Sequence, residues 1–396
     1  MTEFLNTPER FYEHNRRYSS SVIMLLTYGY RLPKWDHPLV KEIYTVLDNL
    51  TEMTAPGAHA VDSFPSLASL PQWLLGNWRS HAEKVFEHDS KVYMDLWQTL
   101  KKGVDEGKVA DCFCKDYYLS NPYKHGIDDL QAAYMCGGLV EAGSETTSTT
   151  LNNFVLAMLL FPEAMKRAQK EIDQVIGTDG SRMPTWDDEA NLPYIRALVK
   201  ETLRWRAVNK FGMPHYTTQD DFYQGYFIPK DSVVMLNWWS VFQLQVVLKD
   251  TCLIRIQSRA IHMNPELHHD PETFDPSRYL NKPLSAAEYI NVNDAYERDH
   301  FTYGAGRRVC PGVHVAEKSL YINIVRTLWG FNISKPKGPD GRDIEPDTTM
   351  IRGFLSVPKP FKADFKVRSP QHAATIRNTF EAAEKEGIKF ERGKHK

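Results

Sequence analysis

Between Phe301 and Gly312 the chain reads FTYGAGRRVCPG. Gly304, Gly306 and Gly312 give a backbone that can turn sharply or lie against something flat. Cys310 is followed at once by Pro311 and a run that predicts a helix over 311–329; proline is well tolerated in a first helical turn. A cysteine at a helix N-terminus faces the positive end of the dipole and free N–H groups, which lowers its pKa and favours thiolate. Such a thiolate suits a soft metal centre or nucleophilic work. Arg308, just upstream, can pair with an anionic group such as a carboxylate. A glycine-rich loop around an inert buried cysteine is the plainer alternative.

Three further segments carry weaker signals. Glu201 and Arg204 in KETLRWR share a helix face at i and i+3 and can pair. Alone, this is a surface ion pair worth under about 1 kcal/mol; Glu13 and Arg16 have the same spacing and are assigned nothing. In AGSETT, residues 142–147, Gly143 weakens a helix by about 1 kcal/mol against alanine. The Thr146 hydroxyl can bond back to a carbonyl and bend the helix. An acid, Glu145, beside that hydroxyl in a loosened turn can hold water and relay protons; a polar exposed turn explains the same residues. FDPSRYL, residues 274–280, is a proline turn carrying Arg278 and means nothing alone.

The elements that position these residues are mostly helical. One pattern runs without proline from Gly126 to Leu160. Pro162 opens the next helix, which Gly177 stops, and Pro193 opens another that ends near Arg206. From Pro214 to Asn237 the texture changes to short strands with a turn at 228–231. The tail after Met350 alternates like strands, as in FKADFKV. The fold class expected is mostly α with small β-sheets (α+β).

Composition narrows the function classes. Of 396 residues, 42% are hydrophobic and 25% charged, and the net charge is −2, so no basic surface for nucleic acid is implied. The five cysteines show no CxxC pair, which argues against a disulfide framework or structural zinc. The polar opening, MTEFLNTPERFYEHNRRYSSS, is read as neither signal peptide nor membrane span. The apolar stretch Val233–Leu248 is interrupted by polar residues and falls short of the ~20 that a span needs.

Taken together and in this order, the four segments resemble the cytochrome P450 family over roughly Phe4 to Val367. The cysteine loop is similar to the heme-binding signature, with Gly306, Arg308, Cys310 and Gly312 in place and Tyr303 where phenylalanine is usual. ETLR and Arg278 resemble the family's Glu/Arg/Arg triad, and AGSETT its oxygen-activation turn. The style of VEAGSETT and of AIHMNPELHHDPETFDPSRYL resembles fungal enzymes of secondary metabolism.

The resemblance implies roles. Cys310 would be the axial thiolate of heme b (iron protoporphyrin IX), pushing electron density onto iron. Arg308 would hold a heme propionate, and His215 a second. Glu145 and Thr146 would deliver protons to bound O2, with Ala142 and Gly143 opening room beside it. Glu201, Arg204 and Arg278 would be structural. Substrate contacts would come from around Met213 and from Gly353-Phe354-Leu355. The reaction would insert one oxygen atom into an apolar small molecule, with electrons from NADPH through cytochrome P450 reductase. A full-length relative would sit at the endoplasmic reticulum membrane, facing the cytosol.

The sequence also departs from the pattern. Residues 1–368 read as a partial P450 domain lacking its N-terminal portion, and 369–396 as a C-terminal tail. Trp97 and Lys101 are spaced like the family's propionate clamp but lie too close to Glu145 to be it, and are read as ordinary helix residues. Residues 240–259 interrupt the join of Asn237-Trp238-Trp239 to Ala260-Ile261-His262. They read as an insertion or a retained intron: the segment is a whole number of codons, and the codons of Ser240, Arg259 and Ala260 can supply GT…AG boundaries in frame. A catalytically inactive truncated fragment is therefore the alternative to an active monooxygenase. A heme-thiolate enzyme that rearranges its substrate without O2 is a third reading, disfavoured by the Glu145–Thr146 pair.

Overall fold

The computed structural model describes residues 1–55, 58–209, 212–234, 261–294, 297–351 and 355–387, and the backbone of 242–248 and 252–258. Within them the helices are α1 (Thr2–Asn6), α2 (Phe11–Tyr28), α3 (Pro38–Met53), α4 (Ala60–Ser63), α5 (Trp78–Asp105), α6 (Phe113–Leu119), α7 (Asp129–Leu160), α8 (Pro162–Ile176), α9 (Pro193–Trp205), α10 (Ala286–Tyr289), α11 (Val313–Gly330) and α12 (Pro370–Glu386). Short antiparallel pairs join β1 (His215–Tyr216) to β4 (Val233–Val234), β2 (Asp221–Tyr223) to β3 (Tyr226–Ile228), β5 (Phe242–Leu248) to β6 (Cys252–Ser258), β7 (Phe331–Ser334) to β10 (Asp364–Val367), and β8 (Met350–Ile351) to β9 (Val357–Pro358). The mostly helical chain with small sheets is the α+β class expected.

The chain divides into two compact units. The first is Met1–Asn152, Asp179–Ser181 and Gly330–Lys396; the second is Asn153–Thr178 and Arg182–Trp329. In the first, Met24, Tyr28 and Leu32 pack with Val40, Ile43 and Leu47 of α3, Trp97 of α5 and Ala132, Cys136 and Val140 of α7. A second patch gathers Phe4, Phe11, Phe331, Phe361 and Phe365. In the second unit, Phe161, Trp205 and Phe274 form an aromatic cluster.

Local rules account for the helix ends. Proline stands first in α8 and α9, and Gly177 ends α8 at φ 97°, a conformation cheap only for glycine. On α8 the buried residues Ala164, Met165, Ala168, Ile172 and Ile176 recur at helical spacing. From Ser144 to Leu159 nearly every residue of α7 is buried, so this is an interior helix rather than a surface one. Its polar residues are met locally or across helices: Ser144 Oγ donates to the Val140 carbonyl (2.7 Å), Thr150 Oγ1 to Thr146 (2.9 Å), and Asn15 Nδ2 to Asn152 Oδ1 (2.8 Å).

Trp97 and Lys101, read as ordinary helix residues, anchor α5 to the start of α7. Trp97 Nε1 donates to Asp129 Oδ1 at 2.8 Å and Lys101 Nζ contacts both carboxylate oxygens at 3.0 Å. Much of the segment read as a tail, residues 370–386, is helix α12. Its cap, Ser369, accepts from His372 N, and Thr375 Oγ1 donates to the Gly180 carbonyl at 2.6 Å. No described helix is long and apolar enough to cross a membrane.

Candidate functional site

The cysteine loop belongs to the second unit. Gly304 and Gly306 have φ of 82° and 68°, where a side chain would strain the backbone. These turns fold the loop so that Cys310 N donates to the Tyr303 carbonyl at 2.9 Å. The half-buried Cys310 sulfur receives the Gly312 N–H. A Cβ on Gly312 would lie 3.7 Å from that sulfur, so glycine keeps its flank clear. Arg308 is exposed and makes no ion pair or hydrogen bond with another described residue. The Tyr303 hydroxyl is buried without a partner among the described residues, and burial pushes it well above its ordinary pKa.

One expectation is corrected here. Helix α11 begins at Val313, not at Pro311, so Cys310 is not in the first turn. Burial pushes the thiol above its ordinary pKa, and the Gly312 N–H only opposes this. The fold by itself does not make Cys310 a thiolate; a bound metal would, because a coordinating thiol is deprotonated outright.

Beneath the loop, α9 is an interior helix whose charged residues are all engaged. Glu201 and Arg204 form a bidentate pair at 2.7 Å with both side chains 0% exposed. Arg204 Nη1 also donates to the His262 carbonyl (2.8 Å), and Asp275 N donates to Glu201 Oε1 (2.9 Å). Arg278 Nε lies 3.4 Å from Glu201, and its Nη2 donates to the Asp270 carbonyl at 2.7 Å. The triad is therefore a buried clamp on residues 262–278, not a surface pair. Lys200, which the sequence reading did not single out, is also buried: its Nζ meets Asp299 Oδ2 at 3.1 Å and donates to the Lys282 and Leu284 carbonyls. His262 Nε2 accepts from Phe301 N at 2.8 Å, tying the clamped segment to the start of the cysteine loop.

The acid–hydroxyl turn belongs to the first unit and lies in unbroken helix. Thr146 Oγ1 donates to the Ala142 carbonyl at 2.7 Å. Ala142 is exposed. Gly143 serves helix packing: a Cβ there would meet Ile23 of α2 at 2.6 Å. Glu145 is buried and takes Arg16 Nη2 at 2.9 Å. Burial pushes its carboxyl above the usual range while Arg16 pulls it back. Glu13, which shares the i, i+3 spacing with Arg16 and is assigned nothing, pairs with Arg10 instead.

His215 is exposed on β1, opposite Val234. Met213 is 64% exposed. Of the second expected substrate segment, Leu355 is buried, and Gly353 and Phe354 lie outside the described residues.

A heme would fit these residues. Among the described residues no three His, Cys, Asp or Glu gather to hold a bare metal ion. A single cysteine with a clear flank, and an exposed arginine two residues upstream that pairs with no other described residue, suit a metal carried by an anionic macrocycle.

The comparisons agree. A model described as Cytochrome P450 matches residues 10–246 and 241–365. Cytochrome P450 monooxygenase verL of Clonostachys rogersoniana is 47% identical over 97% of this chain and 67% of its own length. Cytochrome P450 monooxygenase AOL_s00215g282 of Arthrobotrys oligospora is 36% identical over 97% of this chain and 68% of its own. Cytochrome P450 monooxygenase yanC of Aspergillus niger is 35% identical over 98% and 70%. The chain thus spans about two thirds of these relatives. With matches over nearly all of its length and the cysteine loop and buried triad in place, the chain belongs to the cytochrome P450 family.

Proposed function

We propose that Cys310 would hold a heme b through its thiolate and that the protein inserts one atom of O2 into an apolar small molecule, releasing the other as water. The observation that carries this is the Cys310 loop: a half-buried sulfur that receives the Gly312 N–H, with exposed Arg308 two residues upstream pairing with no other described residue. When bound, heme supplies the redox centre at which dioxygen is reduced. The chain's own residues do the rest. Arg308 and His215 would pair with the propionates, and Gly304, Gly306 and Gly312 shape the loop that carries Cys310, with the Tyr303 carbonyl holding the Cys310 N–H. Releasing water consumes protons, and Glu145 with Thr146 would supply them. Ala142 and Gly143 add no bulk beside that pair.

Electrons come from NADPH through cytochrome P450 reductase, at the cytosolic face of the endoplasmic reticulum. The fungal relatives support a place in secondary metabolism. The test is turnover of the holoprotein with reductase, NADPH and isotopically heavy dioxygen over a panel of apolar small molecules. One heavy oxygen atom per product supports the reading. Product formed without incorporation, or heme-loaded protein that reduces dioxygen but oxidises nothing, contradicts it and favours the rearranging or inactive alternative.

We also infer that 240–259 is inserted relative to the family, within a partial P450 domain running to residue 368. The family match breaks into two segments meeting at 241–246, and β5 and β6 pair only with each other among the described residues. Sequencing the mature transcript across this junction decides between an insertion, which keeps it, and an intron, which loses it.

A further inference from the structure

The strongest feature unexplained by the expected roles is what holds Glu145. Helices α2 and α7 are locked in register by Asn15 Nδ2 on Asn152 Oδ1 (2.8 Å), by Ser19 Oγ on the Ser144 carbonyl, and by Ile23 against Gly143. In that register Arg16 Nη2 reaches Glu145 Oε1 at 2.9 Å. The guanidinium stacks 4.7 Å from the centre of the Tyr44 ring on α3, so it is held on both sides. The groups facing Glu145 are then Arg16 from α2, Tyr44 and Asp48 from α3, and Thr149 of its own helix, whose Oγ1 lies 3.5 Å from Oε1.

Two details show that this is more than a strut. Glu145 Oε2 is buried without a partner among the described residues, so one oxygen is clamped and the other is left over. The Thr146 hydroxyl is spent on the Ala142 carbonyl, so the acid and the hydroxyl are not bonded to each other. Burial alone favours the neutral acid; Arg16 opposes this and turns the carboxyl toward α2.

We propose that Arg16 is a positioning residue for Glu145: it favours the carboxylate over the neutral acid, holds it turned toward α2, and so governs when this acid can pass a proton toward Thr146. The proposal rests on the reading of Glu145 as a proton source, and the test separates the two. Infrared titration of the full chain, with Glu145→Gln identifying the band, gives the protonation midpoint of Glu145. Arg16→Gln should raise that midpoint by about 1–3 pH units, and Arg16→Lys by less, because it keeps the charge but not the fork. An unmoved midpoint in Arg16→Gln overturns the proposal. If that variant does not fold, the wild type decides: the Arg16 side-chain nitrogen resonance must titrate in step with Glu145, and a flat resonance overturns it. In the holoprotein with reductase, Arg16→Gln should divert more NADPH electrons into peroxide and shift the pH profile the same way. If the midpoint moves but the coupling and pH profile do not, the clamp stands and the proton-source reading fails.

Discussion

Glu201 and Arg204 face each other through two hydrogen bonds of 2.7 Å with neither side chain exposed to water. Removing one partner strands the other charge in the interior. Glu201→Ala is expected to cost about 3–5 kcal/mol of unfolding free energy. Replacing both, Glu201→Leu with Arg204→Met, should cost less than the sum of the single changes. Urea unfolding of the four proteins in this cycle measures the coupling; additive losses would show that the pair does not act as a unit.

Gly143 sits where α7 touches α2. A Cβ there would be 2.6 Å from Ile23 Cγ1 and 2.9 Å from its Cβ, so a rotamer change alone does not clear it. Gly143→Ala should destabilise by about 1–3 kcal/mol, despite alanine's better helix propensity. Ile23→Ala in the same protein should recover part of that loss. Thermal unfolding of the single and double variants checks this, and a neutral Gly143→Ala would contradict the close approach.

His268 gives a pH signature. Burial, then the nearby Arg204 and Arg278, lowers its pKa from 6.5 to about 4. Below 6.5 the unfolded chain binds a proton that the folded chain refuses until about pH 4. Stability from this group is therefore lost as pH falls through that window. Wild type should lose stability relative to His268→Gln between pH 6.5 and 4. Parallel curves of denaturation midpoint against pH would refute the assignment.

Asp129 collects Trp97 Nε1, Lys101 Nζ, Gln98 Nε2 and the Tyr123 hydroxyl. Burial disfavours its charge, but these hydrogen bonds outweigh it and hold the carboxyl below the usual range. Asp129→Asn removes the charge and one acceptor site, at a cost of about 1–2 kcal/mol. Trp97 is fully buried, so Asp129→Asn should change the folded-state fluorescence; with nine tryptophans in the chain, the same change persisting in a Trp97→Phe background would contradict the contact.

Much of this was legible in the sequence because it is local. Proline and glycine punctuate α8 and α9, and the spacing of Glu201 to Arg204 already sets them on one helix face. The cysteine loop announces its turns through Gly304 and Gly306. What was not legible depends on distant partners. Arg16 and Glu145 are far apart in the chain, as are Lys200 and Asp299, and no spacing rule links them. Pro311 reads as a helix start, but α11 begins at Val313, so Cys310 lies outside its first turn and burial dominates the thiol. Helix α12 was missed because polar residues dominate its sequence; His372, Ala373, Thr375 and Ile376 bury one face of it.

The central claim is that Cys310 ligates a heme iron. The most direct test is the reduced carbon-monoxide difference spectrum of the chain supplied with heme, beside Cys310→Ala. A strongly red-shifted Soret band in the wild type that is lost in Cys310→Ala is the predicted result. No such band in heme-loaded wild type, or a band that survives Cys310→Ala, would contradict the account.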